Sequence, residues 1–270
     1  MESIAIGITT RNRPEILDLS LKHFAHFQSS NTKYVVVEDH AFPYKACDEI
    51  IKKYSQELDI TFIKSKKRLG IATAKNTCLH YLSEFNEVFL FDDDAWPMRN
   101  NWAESWIQTE RANSVGHSMF IFGPPYKENC ELNFSIVATI GQEPHLMDAW
   151  NACMGVALHF SRQCLNEIGG YDSYSALSNY GYEHAQISVR SAQAGFTKGH
   201  RYLAPRNIKD LIYSVDITHN IFHIPVPLTG KMIPGFHSSV SAVEIDNARK
   251  NAQMMENPKI KIPIDTKLIP

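Results

Sequence analysis

The sequence of 270 residues lacks the features that mark several classes of protein. Its net charge is only −2, because 27 Lys and Arg nearly balance 29 Asp and Glu. Dedicated nucleic-acid binders usually carry a strong basic excess, so this balance argues against that class but leaves room for a local basic groove. Hydrophobic residues make up 44% of the chain, which excludes a disordered protein.

Paired cysteines and long apolar runs are also missing. The five cysteines form an odd set without a CxxC pair, which argues against a disulfide framework or a zinc knuckle and favours reduced thiols. The N-terminal segment MESIAIGITTRNRP shows no basic stretch followed by a long apolar one, and the apolar runs elsewhere are too short to cross a bilayer. We therefore expect a cytoplasmic protein without integral membrane association.

Short apolar runs alternate with helical patterns in the first half of the chain, which predicts βαβ units and a mainly parallel sheet. The runs are continuous, as is typical of strands covered by helices on both faces of a sheet. Pro14 suits the first turn of a helix. The predicted strands are residues 3–9, 34–37, 60–63 and 87–91, and the predicted helices contain residues 14–24, 46–54 and 71–82.

The second half of the sequence is less regular. Strands with antiparallel pairing are expected at 119–122 and 132–140, and helices are predicted at 183–194 and 244–255. Ser161 is a candidate N-cap of a helix that ends at Gly169-Gly170. No repeat or Gly/Ser linker interrupts the chain, so we expect a single domain over residues 1–270. Its parts are a nucleotide-binding half (about 1–118), an acceptor-binding half (about 119–257) and an extended tail (258–270).

Charged and polar side chains follow the predicted parallel strands at their carboxyl ends, where ligands of open α/β sheets bind. Adjacent carboxylates there bind a hard divalent cation, and a cation neutralises phosphate charge. Asp92 and Asp94 would project to one side of an extended backbone, with Asp93 opposite. A solvated acidic turn is the alternative, but three carboxylates behind an apolar strand repel one another, which favours a counter-ion. The residues at this edge are Thr10, Arg11, Glu38, Asp39, Arg68, Asp92, Asp93 and Asp94.

Six segments in this order resemble the GT-A glycosyltransferases of family 2 and their chondroitin-polymerase and β-1,4-galactosyltransferase relatives. The resemblance covers Ile4 to about Phe196 and implies an α/β, Rossmann-like GT-A fold. It places a nucleotide-sugar in the first half and an acceptor in the second. The segments are TTRNRP, VVVEDHA, RLGIATAKN, FLFDDDAWP, EIGGYDSY and NYGYEHAQISVRSAQAGF.

The resemblance implies donor and metal roles for residues of the first half. Asp92-x-Asp94 matches the DxD motif of the family, which binds Mn²⁺ or Mg²⁺, with Asp94 the first candidate for a direct ligand. Lys75 stands where the family usually has Arg and is expected to meet the base or the diphosphate. The resemblance also implies a later histidine as a third metal ligand, and His237 is the preferred candidate over His219 and His223. The implied donor-binding residues are Thr10, Arg11, Glu38, Asp39, Arg68, Lys75, Asp92 and Asp93.

The implied base lies in the run from Tyr180 to His184, which resembles the WGGED or GYED segment of the family. His184 replaces the usual Asp, so either Glu183 or His184 is the base, with Glu183 preferred. A neutral imidazole is competent for that role at its ordinary pKa of about 6.5. The two neighbours at a helix start are expected to point in different directions. The implied acceptor-binding residues are Trp150, Asp172 and Tyr182.

The sequence thus predicts a metal-dependent glycosyltransferase that uses a nucleoside-diphosphate sugar, with a UDP-sugar favoured and inversion implied by the resemblance. A nucleotidyltransferase is the rival enzyme, but its Gly-rich loop after the first strand is replaced by TTRNRP. A catalytically silent nucleotide-sugar-binding subunit is the non-enzymatic rival, supported by His184 and opposed by the intact Asp92-x-Asp94. The sequence does not identify the acceptor hydroxyl, which a glycan, a lipid-linked saccharide or a protein would supply; a nucleic acid is not favoured.

Overall fold

The computed structural model describes most of the chain. The described residues are 3–29, 31–39, 45–121, 134–153, 155–173, 183–215, 225–230 and 259–270. The predicted helix at 244–255 lies outside them.

A six-stranded sheet of order β3-β2-β1-β4-β9-β6 forms the centre of the fold. Strands β1 to β4 are mutually parallel, and β9 and β6 extend the sheet with antiparallel pairing. This confirms the predicted α/β class with a mainly parallel sheet and a smaller antiparallel part. The strands are β1 (Ile4–Thr10), β2 (Thr32–Glu38), β3 (Asp59–Lys64), β4 (Glu87–Asp92), β6 (His117–Met119) and β9 (Ala157–Ser161).

Helices cover both faces of this sheet. Every residue of β1 is buried, and because side chains alternate between the faces of a strand, neither face of β1 is open to solvent. The helix α3 is buried along residues 72–79 and packs against β1 and β2. The helices of this half are α1 (Pro14–His26), with Pro14 in its first turn as predicted, α2 (Lys45–Tyr54) and α3 (Ile71–Tyr81).

Two small antiparallel sheets of order β10-β8-β7 and β11-β5 accompany the central sheet. Most of their strands have three or four residues, too few for the sequence to show a period, and these were not predicted. The strands are β5 (Ala95–Pro97), β7 (Ile136–Ile140), β8 (Met147–Trp150), β10 (Leu203–Pro205) and β11 (Ile212–Ser214).

Four further α-helices follow α3 in the described part of the chain. Ser161 caps α5 as predicted, because its Oγ accepts a hydrogen bond from the backbone N–H of Cys164 at 3.2 Å. Gly169, with φ of +72°, ends that helix. The helices are α4 (Trp102–Ala112), α5 (Arg162–Ile168), α6 (Glu183–Gln193) and α7 (Ile208–Leu211).

The structure corrects the predicted strand at 119–122. Strand β6 runs from His117 to Met119, and Phe120 makes a further hydrogen bond to β9 by donating its backbone N–H to the carbonyl of Ala157 at 2.8 Å. Residue 122 of the predicted strand lies outside the described residues. The other predicted strand, at 132–140, is shorter than expected, since β7 begins at Ile136.

The C-terminal residues 259–270 lie along the loop that follows α5. Gly170 donates its backbone N–H to the carbonyl of Ile262 at 2.8 Å, and Ile262 donates to the carbonyl of Ile168 at 2.9 Å. The segment is extended apart from a 3₁₀ turn at Thr266–Leu268. Among the described helices, none has the length and apolar character needed to traverse a bilayer.

Candidate active site

The carboxyl ends of the parallel strands meet at one edge of the sheet, as the sequence predicts. In the strand register, Thr10 of β1 lies beside Glu38 of β2, and Thr9 lies beside Asp92 of β4. The acidic triplet that follows β4 therefore faces the loop that follows β1. This edge forms one side of the candidate site.

The acidic triplet does not remain extended. The chain turns at Asp93 and Asp94, and Asp93 is fully buried, where it accepts a hydrogen bond from Thr10 Oγ1 at 2.6 Å. The Arg13 guanidinium forms ion pairs with Asp93 and with Asp94, the latter through Nη1 to Oδ2 at 2.8 Å. The predicted alternation of side chains around an extended Asp92-x-Asp94 is wrong, because Thr10 and Arg13 hold Asp93 inside the turn.

Arg13 was missed by the sequence analysis. It lies in the loop TTRNRP, directly before the first turn of α1, and supplies the counter-ion that three adjacent carboxylates require. Burial lowers the pKa of Arg13, but the Asp93 and Asp94 charges outweigh it and raise the pKa above its ordinary value. Burial raises the pKa of Asp93 to about 7, although Arg13 opposes that shift, and the Asp94 charge adds to it. The available signal was an arginine at the same sheet edge as the triplet.

The triplet offers one atom suited to a divalent cation. Asp94 Oδ1 is buried, and no hydrogen-bond partner for it occurs in the described part of the chain, although Oδ2 is held by Arg13. An orphaned carboxylate oxygen next to Asp92 fits the oxygen preference of Mn²⁺ and Mg²⁺. The described residues contain no group of three or more His, Cys, Asp or Glu side chains arranged around a metal position. Further ligands would come from residues outside that part or from the donor.

Lys75 connects the acidic triplet at the sheet edge to the start of α6. Its side chain is fully buried on α3, with Nζ 3.0 Å from Glu183 Oε1, 3.3 Å from Asp92 Oδ1 and 3.3 Å from the Gly155 carbonyl oxygen. Burial lowers the pKa of Lys75, but the Asp92 and Glu183 charges outweigh that effect and raise it. The ammonium group is therefore an internal cation shared by two carboxylates rather than a group facing open solvent.

Glu183 is the first residue of α6 and is buried, with Oε2 lacking a hydrogen-bond partner among the described residues. Burial raises the pKa of its carboxyl, but the charges of Lys75 and His184 more than reverse this and hold the pKa well below its ordinary value. The carboxylate is thus ionised at neutral pH, and one of its oxygens is unpaired within the described part of the chain.

His184 does not point away from Glu183 as expected, since its Nδ1 lies 3.5 Å from Glu183 Oε1. The absence of a side chain at Gly155 makes room for the imidazole, because a Cβ there would stand 2.4 Å from His184 Nδ1. Burial lowers the pKa of His184, but the neighbouring Cys153 and Glu183 side chains outweigh this effect and raise the pKa to about 10. At neutral pH the imidazole carries a proton.

The other predicted donor residues divide into buried and exposed ones. Asp39 is buried and accepts hydrogen bonds from the backbone N–H groups of Leu69 and Gly70, the latter at 3.1 Å, so it fixes the loop before α3. Glu38 is buried and interacts with the thiol of Cys47 on α2. Arg11 and Arg68 are exposed at the same edge.

The other side of the candidate site contains the start of α6, the described residues of the loop 151–156 and the loop 169–172. Asn76, next to Lys75 on α3, holds the second loop: its Nδ2 donates to the Tyr171 carbonyl at 2.8 Å, and its Oδ1 accepts from the Tyr171 N–H at 2.7 Å. Asp172 is half-buried in that loop and contributes to the charge around Arg190.

The remaining predicted residues are placed only in part. Trp150 is half-buried at the end of β8, and its Nε1 has no hydrogen-bond partner within the described ranges. Tyr182, His219, His223 and His237 lie outside the described residues. Their roles, like those of the other site residues, stay predictions.

The model of glycosyl transferase family 2 matches residues 5–136, which include β2 to β4, Lys75 and the acidic triplet. The fold and the family match define a glycosyltransferase domain of the GT-A fold. Within that class the domain is family 2-like, as the resemblance of the motifs predicts. A comparison with curated proteins finds no match.

Solved structures of similar fold include three glycosyltransferases. The mannosyltransferase PcManGT from Pyrobaculum calidifontis, in complex with GDP-Man and Mn²⁺, is similar at a TM-score of 0.53 and 15% identity over 73% of this chain and 53% of its own. S. aureus TarS 1–349 in complex with UDP is similar at a TM-score of 0.52 and 13% identity, over 70% of this chain and 54% of its own. GalNAc-T7 with UDP, GalNAc and Mn²⁺ is similar at a TM-score of 0.53 and 13% identity, over 73% of this chain and 41% of its own. The chain spans about half the length of these structures, and the likeness is one of fold.

Proposed function

We propose that this protein transfers a sugar from a nucleoside-diphosphate sugar, with a UDP-sugar favoured, to an acceptor hydroxyl in a metal-dependent, inverting reaction. The observation that carries the proposal is a pair of ion pairs through one buried side chain: Lys75 binds both Asp92, in the turn that matches the DxD motif, and Glu183. Glu183 Oε2 has no hydrogen-bond partner among the described residues. The Asp92 end of this arrangement suits a metal-bound diphosphate and the Glu183 end suits a general base. The structural relatives that bind GDP-Man or UDP support the choice of donor class.

Asp94 Oδ1, together with Asp92, would hold Mn²⁺ or Mg²⁺. When bound, such a cation neutralises charge on the diphosphate leaving group. Arg13 keeps Asp94 Oδ2 engaged and so presents Oδ1, while Thr10 and Arg13 keep Asp93 inside the turn. The exposed Arg11 and Arg68 would add positive charge where the phosphates approach, and Glu38 or Asp39 would lie toward the nucleoside.

Glu183 is the proposed base. Its Oε1 is held by Lys75, which leaves Oε2 to accept the proton of the acceptor hydroxyl. His184 is a poor alternative. Burial lowers the pKa of its imidazole, but Cys153 and Glu183 raise that pKa to about 10, so the imidazole is already protonated at neutral pH and cannot accept a proton. A carboxylate of low pKa still serves, since the hydroxyl becomes acidic as its oxygen bonds to the anomeric carbon. His184, Trp150 and Asp172 would then contact the acceptor.

The non-enzymatic alternative is a nucleotide-sugar-binding subunit without activity. Its support was the replacement of the usual Asp by His184, but the neighbouring Glu183 still supplies a buried carboxylate. This favours the enzyme. A nucleotidyltransferase would release inorganic pyrophosphate rather than a nucleoside diphosphate, so product analysis separates it from the proposed reaction.

Hydrolysis of the donor tests the proposal without knowledge of the acceptor, because water replaces the acceptor hydroxyl. A panel of UDP- and GDP-sugars is incubated with Mn²⁺ or with EDTA, and released nucleoside diphosphate is measured. We expect release from at least one donor with Mn²⁺ only, and a loss of about 10²–10⁴-fold in Glu183→Gln, the usual effect of removing a general base. Glu104→Gln, on α4, is the matched control. Donor binding without hydrolysis in the wild type would favour the silent subunit.

A further inference from the structure

The loop that follows α5 carries a buried tyrosine whose hydroxyl is unpaired. Tyr171 is 1% exposed, and its Oη forms no hydrogen bond within the described residues. An unpaired buried hydroxyl costs free energy, whereas a phenylalanine would fill almost the same volume without that cost. A polar group retained at this cost points to a partner that a ligand supplies.

Tyr171 lies beside the cation that holds the proposed base. Its ring centroid is 5.9 Å from Lys75 Nζ, and the same ammonium group lies 3.0 Å from Glu183 Oε1. Glu183 Oε2 is also buried and has no partner in the described part of the chain. Two unpaired oxygen atoms, one of a phenol and one of a carboxylate, therefore belong to side chains that adjoin one ammonium group.

These two oxygen atoms have complementary hydrogen-bonding character. Burial raises the pKa of the Tyr171 phenol, the Lys75 charge opposes that shift and the Glu183 charge adds to it, so the hydroxyl keeps its proton at neutral pH. The ionised carboxylate of Glu183 can only accept. A ligand hydroxyl satisfies both groups at once, because its oxygen accepts from the phenol while its hydrogen is donated to the carboxylate.

The backbone around Tyr171 is fixed by side chains of two helices. Asn76 of α3 bonds to both backbone groups of Tyr171, at 2.7 Å to the N–H and 2.8 Å to the carbonyl. Arg190 of α6 donates to the carbonyl of Gly170 and, at 2.6 Å, to the carbonyl of Ile168. The loop that carries the phenol is thus held in place before any ligand binds, as is expected of a group that orients a reacting atom.

We propose that Tyr171 is a further substrate-contacting residue, whose hydroxyl donates a hydrogen bond to the oxygen of the acceptor hydroxyl that Glu183 deprotonates. This role rests on the proposed function. As that oxygen bonds to the anomeric carbon, its proton moves to Glu183 Oε2, and the bond from the anomeric carbon to the diphosphate oxygen breaks. The nucleoside diphosphate leaves with the electron pair, and Tyr171 keeps its proton throughout.

The substitution Tyr171→Phe tests this role, because it removes the hydroxyl and keeps the ring. Water takes the place of the acceptor in donor hydrolysis, so kcat and KM for the UDP- and GDP-sugars are measured with Mn²⁺. We expect kcat to fall about tenfold, the effect of one lost hydrogen bond, and KM for the donor to stay within about twofold. Tyr34→Phe, at a buried position of β2, is the matched control and should leave both constants unchanged.

Denaturant unfolding separates contact with substrate from a structural role. The unfolding equilibrium constant of Tyr171→Phe should stay within about threefold of the wild type, since no hydrogen bond inside the protein is lost. A rise of more than about tenfold would show that the hydroxyl is bonded within the fold and would overturn the proposal. So would an unchanged kcat in Tyr171→Phe when the wild type hydrolyses a donor, a result that leaves the proposed function standing. A wild type that hydrolyses no donor would remove the proposed function and, with it, this role of Tyr171.

Discussion

Lys75 Nζ lies 3.0 Å from Glu183 Oε1 and connects that carboxylate, across 108 positions of sequence, to the turn that follows β4. No solvent reaches the ammonium group, whose side chain is fully buried. Two carboxylates of opposite sides of the site, Asp92 and Glu183, thus share one internal cation. Lys75, for which the family resemblance implies a donor-binding role, is also the charge that holds the pKa of the proposed base low.

Replacing Lys75 tests this relationship. In Lys75→Met, Asp92 and Glu183 lose their shared cation, and the pKa of Glu183 should rise because only burial and His184 then act on it. The rate of donor hydrolysis should then decrease on the acidic side, at a pH closer to neutrality than in the wild type. The free energy of unfolding should fall by about 3–5 kcal/mol, the usual cost of breaking a buried ion pair.

The measurement is the pH profile of hydrolysis from pH 4.5 to 8 together with denaturant unfolding. Lys33→Met, which removes an ion pair with the exposed Asp59, is the control and should leave both unchanged. An unaltered pH profile in Lys75→Met would refute the coupling of Lys75 to Glu183.

The position of Arg13 beside the acidic triplet predicts that removing its charge changes the affinity for a divalent cation. Its guanidinium is paired with Asp93 and Asp94 beside the proposed cation position, and like charges repel. Arg13→Gln should therefore bind Mn²⁺ about tenfold more tightly, or about 1.4 kcal/mol, and should melt at a lower temperature in EDTA because the triplet loses its counter-ion.

Calorimetric titration with Mn²⁺ and melting curves in EDTA measure both effects. Arg111→Gln is the matched control, because Arg111 pairs with Glu87 at the opposite end of β4. If Arg13→Gln and the wild type bind Mn²⁺ equally, the guanidinium does not act on the metal position.

His159 gives stability a dependence on pH that is independent of the site. Its Nδ1 lies 2.7 Å from Glu110 Oε2 and its Nε2 lies 3.0 Å from Glu87 Oε2. Burial lowers its pKa, but the two glutamates outweigh this and raise it to about 9, against 6.5 in the unfolded chain. The protonated imidazole therefore stabilises the folded state by about 3 kcal/mol below pH 6.5, and this stabilisation is lost as the pH rises through 9.

Denaturant unfolding at pH 6, 7.5 and 9 compares the wild type with His159→Gln. The difference in free energy of unfolding should shrink by about 3 kcal/mol over this range. His80→Gln, at an exposed position on α3, should show no such trend. A constant difference between the wild type and His159→Gln would mean that His159 is not protonated in the folded state.

The parallel part of the fold was predictable because its strands are continuous apolar runs. Strand β4, for example, was predicted at 87–91 and runs from Glu87 to Asp92. The strands β5 and β11 were not, since each has three residues and pairs with a segment more than 100 positions away. Periodicity carries information only over several residues.

The candidate site was predictable in its residue types but not in its pairings. The sequence showed that carboxylates and basic residues gather at one sheet edge, because the carboxyl ends of parallel strands meet there. It did not show that Arg13 would bind Asp93 and Asp94, or that Gly155 would bring His184 to Glu183. Such contacts depend on how loops pack, which no local pattern in the sequence specifies.

The central claim is that Asp94 enables metal-dependent binding of a nucleoside diphosphate at the edge of the sheet. The most direct measurement is calorimetric titration of UDP, and separately of GDP, into the wild type and Asp94→Asn, each with Mn²⁺ and with EDTA. Asp59→Asn, which changes an exposed aspartate of β3, is the matched control. We predict binding of at least one nucleotide to the wild type and Asp59→Asn with Mn²⁺, and none to Asp94→Asn or in EDTA. Equal binding to the wild type and Asp94→Asn, whether or not Mn²⁺ is present, would contradict the account.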